Sequence, residues 1–584
     1  MRWAARLDRL IPDLSATLLR FPVPAVLSLA LCVYVNIEGI DGGGGTMVAA
    51  GAAAGFLASG AAHLFAEGRG LGRGMAVLLA LAAAGSVGLL GYFVRLFDTN
   101  LVFLFAGLIP LVMIAPFLHA GARQEALWLF NLRFGLTVLI AGLIGILFAV
   151  GLSGIVEALN VLFGAGIGDL HEHIWLTAMA LVAPIYGLSL MPRSLTEEIA
   201  IASHKGALLE RGISVLINYI AVPVIAVYAL ILHAYAVKIG LDRELPKGQI
   251  ATMVSIFAIG GTAIWLIAWP WRDQGTRLLR LFMRSWFFLL ILPAVLLGLA
   301  IARRLADYGV TPDRYGVVLV AVWVAALTAY LAIRRNRADM RAIIGAAAVL
   351  LLVGSAGPMG ANGLTFKSQF QRLIAILEQT GVLRDGAIHT PPKPLPQDQS
   401  SGGYSIVYAL RDIGALDRLR PLFAGDAKSP FATDFTDWSL AQALTERFGF
   451  SASTLPADYL NYSANRPLSL DISTGSLLLG PFQAAQRYDQ LPQKPMTAEF
   501  NGTTLTILLD KQTISLPLDE LMAEIRKRLS TDAATQPPVS FTVRPGVTMV
   551  VDSIYGNTQS TPPLSSLRFW LIVPQAGTAP AATP

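Results

Sequence analysis

Four groups of residues carry most of the polar chemistry in an otherwise apolar chain. Glu157 and Asn160 lie one helical turn apart in GLSGIVEALNVLFGAGIGDLHEH. An ionisable group at membrane depth is costly and marks a functional position, whereas at the bilayer edge it is an interfacial residue. His171 and His173 flank Glu172 in HEHIW. Two histidines at i, i+2 could share a metal on a strand or turn, but a third ligand is missing. No metal is expected, and HEHIW reads as an interfacial loop ahead of the next span. The third group, Asn218, Tyr228 and His233, sits in NYIAVPVIAVYALILHAYAVKI. At 100° per residue His233 lies about 140° from Tyr228 and about 60° from Asn218, so these groups form no single polar stripe. Pro223 frees the Tyr219 carbonyl and predicts a kink. The fourth group, Lys247, Arg303, Arg304 and Arg314, offers outer-face contacts for an anion such as a phosphorylated lipid, with Asp307, Asp313 and His173 as acid–base groups on that side.

Other chemistry has no visible carrier. The chain lacks a GxxxxGK[ST] phosphate loop, an HExxH pair and a GxSxG elbow. Arg193, Glu197, Glu198, His204 and Arg211 in MPRSLTEEIAIASHKGALLERG read first as an amphipathic helix on the bilayer, with basic groups toward anionic lipid. Cys32 is the single cysteine, which excludes an internal disulfide and a cysteine metal site. No cofactor is expected.

The elements that must position these residues are membrane spans. Of 584 residues, 54% are apolar and only 14% charged, against roughly a quarter charged in globular domains. A helix needs about 20 mostly apolar residues to cross the hydrocarbon core. Eleven stretches qualify: 22–38, 46–66, 75–94, 101–119, 134–154, 174–191, 214–237, 250–270, 284–302, 316–333 and 341–357. The alternate loops that include the N-terminus hold 19 Lys and Arg, the others 7. That bias places the N-terminus in the cytoplasm. An odd number of spans then puts the C-terminal part outside, in the periplasm of a cell with two membranes. Residues 151–173 carry the parity, because a hidden span there would reverse it. The basic net charge of +6 belongs to these loops and does not indicate nucleic acid. DGGGGT at 41–46 reads as a flexible outer loop, and GAAAG at 51–55 as a close helix contact.

The chain therefore divides into a cytoplasmic segment (1–21), a polytopic α-helical bundle of about 11 transmembrane helices (22–357), a soluble extracytoplasmic α+β domain (358–574) and a disordered tail (575–584). In the soluble part, FKSQFQRLIAIL, SIVYALRDIGAL and DWSLAQALTERF predict helices, the last with Asp437 as N-cap. TAEFNGTTLTILL predicts a hairpin turning at Asn501-Gly502, LPLDELMAEIRKRL a further helix, and VSFTVRP, VTMVVDSIYG and LRFWLIVP three more strands.

Four landmarks occur in order: NYIAVPVIAVYALILHAYAVKI, ELPKGQI (244–250), YGVTPDRY (308–315) and GPMGANGLTFKSQFQRL (357–373). Together they resemble the bacterial membrane-protein family catalogued as domain of unknown function 4153. The resemblance implies an integral protein of the bacterial envelope and carries over no catalytic residues. The expected role is a membrane-anchored sensing, interaction or scaffold protein of the inner membrane, leaning away from an enzyme. Its expected partners are the lipid bilayer and an envelope protein. A transporter of a lipid or envelope precursor, and an outer-face transferase acting on a phosphorylated lipid, are the alternatives. Oligomeric state is not legible.

Overall fold

A computed structural model describes residues 14–574 apart from 40–42, 95–97, 120, 165, 167, 169, 193–205, 243–249, 335–336, 390–394, 425, 427–428, 433–435, 451–458, 464–475, 486–495, 502–503, 510–511, 518–519, 524–538, 545 and 558–563. The chain separates into two compact units: Met1–Gln379 with Leu383–Ile388 and Ile406–Ala441, and Thr380–Val382 with His389–Ser405 and Gln442–Pro584.

The first unit is mainly helical, and most of its helices are long and apolar. In order they are α1 (Leu14–Arg20), α2 (Pro22–Glu38), α3 (Gly43–Gly68), α4 (Arg73–Val94), α5 (Asp98–Ile114), α6 (Gln124–Phe163), α7 (Leu170–Thr177), α8 (Ala183–Leu190), α9 (Gly206–Leu216), α10 (Val222–Asp242), α11 (Ile250–Ala268), α12 (Arg277–Tyr308), α13 (Pro312–Arg334), α14 (Met340–Ser355) and α15 (Ala361–Gln379). Among the described residues, nine helices are long and apolar enough to cross a membrane, or ten if the bent pair α1–α2 is one span. The α14 helix is apolar but only 16 residues long. Exposed apolar side chains such as Leu139, Leu147 and Leu230 cover the outside of these helices, which suits a lipid solvent in which backbone groups must bond within each helix.

Several local expectations change. DGGGGT is not all loop, because α3 begins at Gly43. Glycine is a poor helix former in water, but closing hydrogen bonds inside a helix outweighs that penalty where water is absent. HEHIW is helical, forming most of α7. The 151–173 segment holds no separate span among its described residues, because α6 runs unbroken for 40 residues. That length is about 60 Å, twice the roughly 30 Å hydrocarbon core. Pro223 produces a π turn instead of a sharp kink: residues Ile217–Ala221 form it, immediately ahead of α10. A π turn ahead of a proline suits a helix whose i→i−4 bond the ring removes. A second π turn, Ala178–Val182, precedes Pro184 in the same way.

Buried cores hold the bundle together. The largest gathers Val254, Phe257, Trp286, Leu290 and Leu297 from α11 and α12 with Val324 and Leu327 of α13 and Ile225 and Leu232 of α10. Gly261 makes one contact possible: a Cβ there would stand 2.0 Å from the Trp286 ring. A second core joins Phe21, Leu64, Phe117, Leu127 and Phe130.

The second unit carries the sheets. Strands β3 (Tyr459–Ser463), β4 (Ser476–Ala485), β8 (Val539–Arg544), β9 (Val547–Asn557) and β10 (Leu564–Pro574) form a five-stranded antiparallel sheet. In it β3 and β8 share one edge of β9, and β10 lies between β9 and β4. Strands β5 (Met496–Asn501), β6 (Thr504–Leu509) and β7 (Gln512–Pro517) form a meander. Leu505, Ile507 and Ile514 of the meander share one core with Met549, Val551, Leu567 and Phe569. Asn501 pairs with Thr504 and so belongs to β5, while Gly502, the other residue of the expected turn, lies outside the described residues. A small hairpin, β1 (Leu383–Arg384) and β2 (Ala387–Ile388), belongs to the first unit. Helices α16 (Gln397–Asp412) and α17 (Asp437–Phe448) fall on SIVYALRDIGAL and DWSLAQALTERF. Thr436, not Asp437, caps α17, its Oγ1 accepting from the Ser439 N–H at 3.4 Å. Of LPLDELMAEIRKRL, residues 520–523 are helical and the remaining described residues, Leu516 and Pro517, close β7.

Candidate functional site

One convergence of polar side chains in the first unit joins two of the landmark motifs. Helix α12 ends at Gly309 with φ +70°, leaving its last carbonyls without helical partners. Arg372 and Gln369 of α15 take up carbonyls of this turn, and Ser368 accepts one of its N–H groups. Arg372 donates to the carbonyls of Asp307 (2.8 Å) and Ala306 (3.4 Å). Gln369, 2% exposed, donates through Nε2 to Val310 (2.6 Å) and Tyr308 (3.2 Å). The Ser368 hydroxyl accepts from the Val310 N–H at 2.9 Å. From α13, Arg314 donates to the Tyr308 and Gly309 carbonyls and lies over the Tyr308 ring at 5.2 Å. The Tyr315 hydroxyl donates to the Met359 carbonyl at 2.7 Å. YGVTPDRY and GPMGANGLTFKSQFQRL thus build one joint at the far end of the bundle.

The joint tolerates no side chain at Gly309, where a Cβ would meet Arg372 Cδ and Ser368 Oγ at 2.8 Å each. Beside it, Phe103 and Tyr315 meet edge to face and pack with Ala361. Asn100 and Thr365, one turn along α5 and α15 from that cluster, are 1% and 0% exposed. Asn100 Oδ1 and Thr365 Oγ1 have no partner among the described residues.

The opposite, near end carries Arg20 and is held differently. Arg20 makes a bidentate ion pair with Glu67 at 2.7–2.8 Å and donates to the carbonyls of Met191 and Pro192. Arg341 pairs with Asp339 at 2.6 Å and donates to the Phe117 and His119 carbonyls. Gln124 donates to Asp339 Oδ1 at 2.6 Å and accepts from the Met340 N–H, and the Tyr330 hydroxyl accepts from the Asp339 N–H. Burial alone would raise the Asp339 carboxyl. Hydrogen bonds from Arg341 and Gln124 outweigh it and hold the group below its usual range.

The residues singled out in the sequence do not form one site. Asn218 is buried in the π turn. Its Nδ2 donates to the Ser214 carbonyl and its Oδ1 accepts from the Thr276 N–H at 2.9 Å, so it ties that turn to the N-cap residue of α12. The Tyr228 hydroxyl donates to the Met253 carbonyl at 3.3 Å, and its ring stacks on Phe257. His233 Nδ1 lies 2.7 Å from the Ala229 carbonyl, an acceptor only, so Nδ1 carries the proton. Each of the three therefore has a local packing partner. Glu157 is mostly exposed, with His171 Nε2 3.8 Å from its Oε2. His173 Nδ1 lies 3.0 Å from Asn36 Oδ1. Among the described residues no three His, Cys, Asp or Glu side chains gather as a metal group. Arg303 is exposed and Arg304 half-buried, Arg314 is bonded as above, and Lys247 lies outside the described residues. Arg193, Glu197, Glu198 and His204 lie outside them too.

Sequence reading missed the partners: Arg372, Gln369 and Ser368 at the far end, and Arg20–Glu67 and Asp339–Arg341–Gln124 at the near end. The only signal was the i, i+1, i+4 spacing of Ser368, Gln369 and Arg372, which puts Ser368 and Arg372 on one helical face.

Long apolar helices joined at both ends by polar contacts define a multi-pass helical membrane protein with a sheet-bearing C-terminal region. The chain belongs to the family described as Domain of unknown function (DUF4153), which matches residues 25–361. It is also similar to Uncharacterized protein PM1469 of Pasteurella multocida (strain Pm70), at 34% identity over 115 residues. That match spans 19% of this chain and 18% of the relative, well under two thirds of its length. No solved structure matches.

Proposed function

We propose that the protein is a non-enzymatic component of the bacterial inner membrane. Its helical bundle carries a periplasmic sensing or interaction domain, with the N-terminus in the cytoplasm. The observation that carries this reading is the far-end joint. Arg372, Gln369 and Ser368 of α15 are bonded directly to the α12–α13 turn, and α15 is the helix from which the chain first leaves the bundle unit. A displacement of α15 would therefore be felt by two spans at once. Topology supports the orientation. An eleven-span thread, with α14 as the short last crossing, puts Arg20, Glu67, Met191, Phe117, Asp339 and Arg341 on one side and Asn36, His173, Tyr308 and Gln369 on the other. Every contact quoted above obeys that division, and the Lys and Arg bias favours the first side as cytoplasmic. The boundaries at 21, 357 and 574 are part of this reading.

Two measurements test it. A reporter fused after residue 574 should be active only if exported; activity of a cytoplasmic reporter there would reverse the topology. A chain ending at Gly360 should fail to complement a deletion strain. Full complementation by the bundle alone would overturn the proposed role.

A second reading, a transporter of a lipid or envelope precursor, is favoured by a cavity of about 460 Å³ among α5, α11, α13 and α14. It is lined by apolar groups such as Phe103, Ile259, Leu319 and Trp323, which suits a hydrocarbon chain better than a polar solute. Filling it with Gly316→Leu and Ala347→Leu should abolish complementation if it is the route. A transferase using Lys247, Arg303, Arg304 and Arg314 has less support, since Arg314 is already spent on carbonyls.

A further inference from the structure

At the near end a second cavity, of about 620 Å³, opens between the start of α12 and the end of α13. Arg284, Arg334 and Arg337 line it together with Phe287, Phe288 and Ile333. Among the described residues no carboxylate, carbonyl or ring engages any of these three guanidinium groups, while Arg20, Arg341 and Arg272 nearby in sequence order or at the same end all have partners. Three like charges facing one space repel each other until an anion joins them. Arginine forks match phosphate oxygens in particular.

The rest of the lining is apolar and prearranged. Trp265 and Trp286 form a wall, and both indole N–H groups are already used, on the Met283 carbonyl and the Thr262 hydroxyl. They present only carbon to the cavity. Phe287 and Phe288 contact each other with centroids 3.9 Å apart. Phe288 is 60% and Ile333 81% exposed, and Arg284, Arg334 and Arg337 are exposed as well, so the rim is part apolar and part charged. Phe288 lies four residues from Arg284, on the same helical face. Charge and exposed hydrocarbon around one opening fit a molecule that carries both.

We infer that this cavity is a binding site for one anionic phospholipid, its phosphate held by Arg284, Arg334 and Arg337 and an acyl chain lying on Phe287, Phe288 and Ile333. Free phosphate would leave the apolar part of the rim uncovered, and a neutral lipid would leave the arginines unpaired. Basic pockets between spans on the cytoplasmic side select anionic headgroups in this way. Placement in the cytoplasmic leaflet rests on the orientation proposed above; the site itself does not.

The test uses the full-length protein, delipidated in detergent and titrated with dioleoyl phosphatidylglycerol or dioleoyl phosphatidylcholine, with bound lipids counted by native mass spectrometry. One phosphatidylglycerol should bind about a hundredfold tighter than phosphatidylcholine, about fivefold for each arginine. The R284Q/R334Q/R337Q variant should lose that preference, and Phe288→Ser should weaken both lipids. Equal binding of the two lipids by the unmodified protein overturns the proposal whether or not the variants fold. So does an unchanged preference in the triple variant, or displacement of the lipid by millimolar inorganic phosphate. Orientation does not enter a measurement on purified protein, so this result and the reporter result fail independently.

Discussion

The two ends of the bundle solve one problem with different chemistry. At the near end, Arg20 and Arg341 meet carboxylates, Glu67 and Asp339, and use their remaining N–H groups on carbonyls. At the far end, Arg314, Arg372 and Gln369 bond only to carbonyls at 306–310. A carboxylate pair is strong but depends on protonation and on burial of both charges. A set of carbonyl acceptors is indifferent to pH and strict about direction, since each helix end offers its oxygens in one fixed arrangement. The near end therefore fastens the bundle by charge, and the far end by geometry.

The sharpest way to break the comparison is Gly309→Val. A β-branched residue at φ +70° is strained, and its Cβ would displace Ser368 and Arg372. A loss of about 4 kcal/mol is expected, read as a lower unfolding midpoint in detergent. A smaller loss would mean that the far end yields more readily than its geometry implies. Arg341→Gln removes the partner of a half-buried carboxylate and two carbonyl bonds. It should cost about 3 kcal/mol, at the low end for a buried pair because both groups are partly exposed. Gln369→Leu keeps the volume and deletes two hydrogen bonds, for about 1–2 kcal/mol. A neutral result there would show that water replaces the amide.

The smallest effect separates the ends by pH. Asp339 has a folded-state pKa below its ordinary 3.8, so its contribution is fully present above about pH 4 and lost as pH falls through the lower folded value. The melting midpoint of the unmodified protein should be flat at neutral pH and fall below about pH 4. In Asp339→Asn that acid limb should be shallower. An identical limb in both would move the acid sensitivity elsewhere.

The spans were legible because crossing a bilayer demands length and apolar composition, and both are properties of a continuous stretch. The landmark motifs were legible as strings. That Gln369 reaches Val310, or Arg20 reaches Glu67, was not, because such pairs join residues 59 and 47 positions apart and leave no periodic trace. Gly43 to Gly45 misled because a glycine-rich stretch between two spans reads as a loop, whereas the helix begins at Gly43. His233 and Tyr228 looked like chemistry because polar residues are rare in spans. Each proved to have a local acceptor, whereas Arg284, Arg334 and Arg337, which line one cavity without a partner among the described residues, looked ordinary in basic loops. In the C-terminal unit β3, β4 and β7 escaped notice, being short or broken by Gly480 and Pro481.

The paired π turns give two of the spans a tolerance for length change. Each holds one residue more than an α turn would, immediately before Pro184 or Pro223. Deleting one residue elsewhere in a packed helix rotates everything beyond it by about 100°. Deleting Tyr219 can instead tighten the wide turn to an ordinary one and leave both faces of the helix in place. The same deletion at Leu230 has no such reserve. Yield of monodisperse protein should therefore survive the first deletion and not the second, marking where this membrane chain can change length without changing partners.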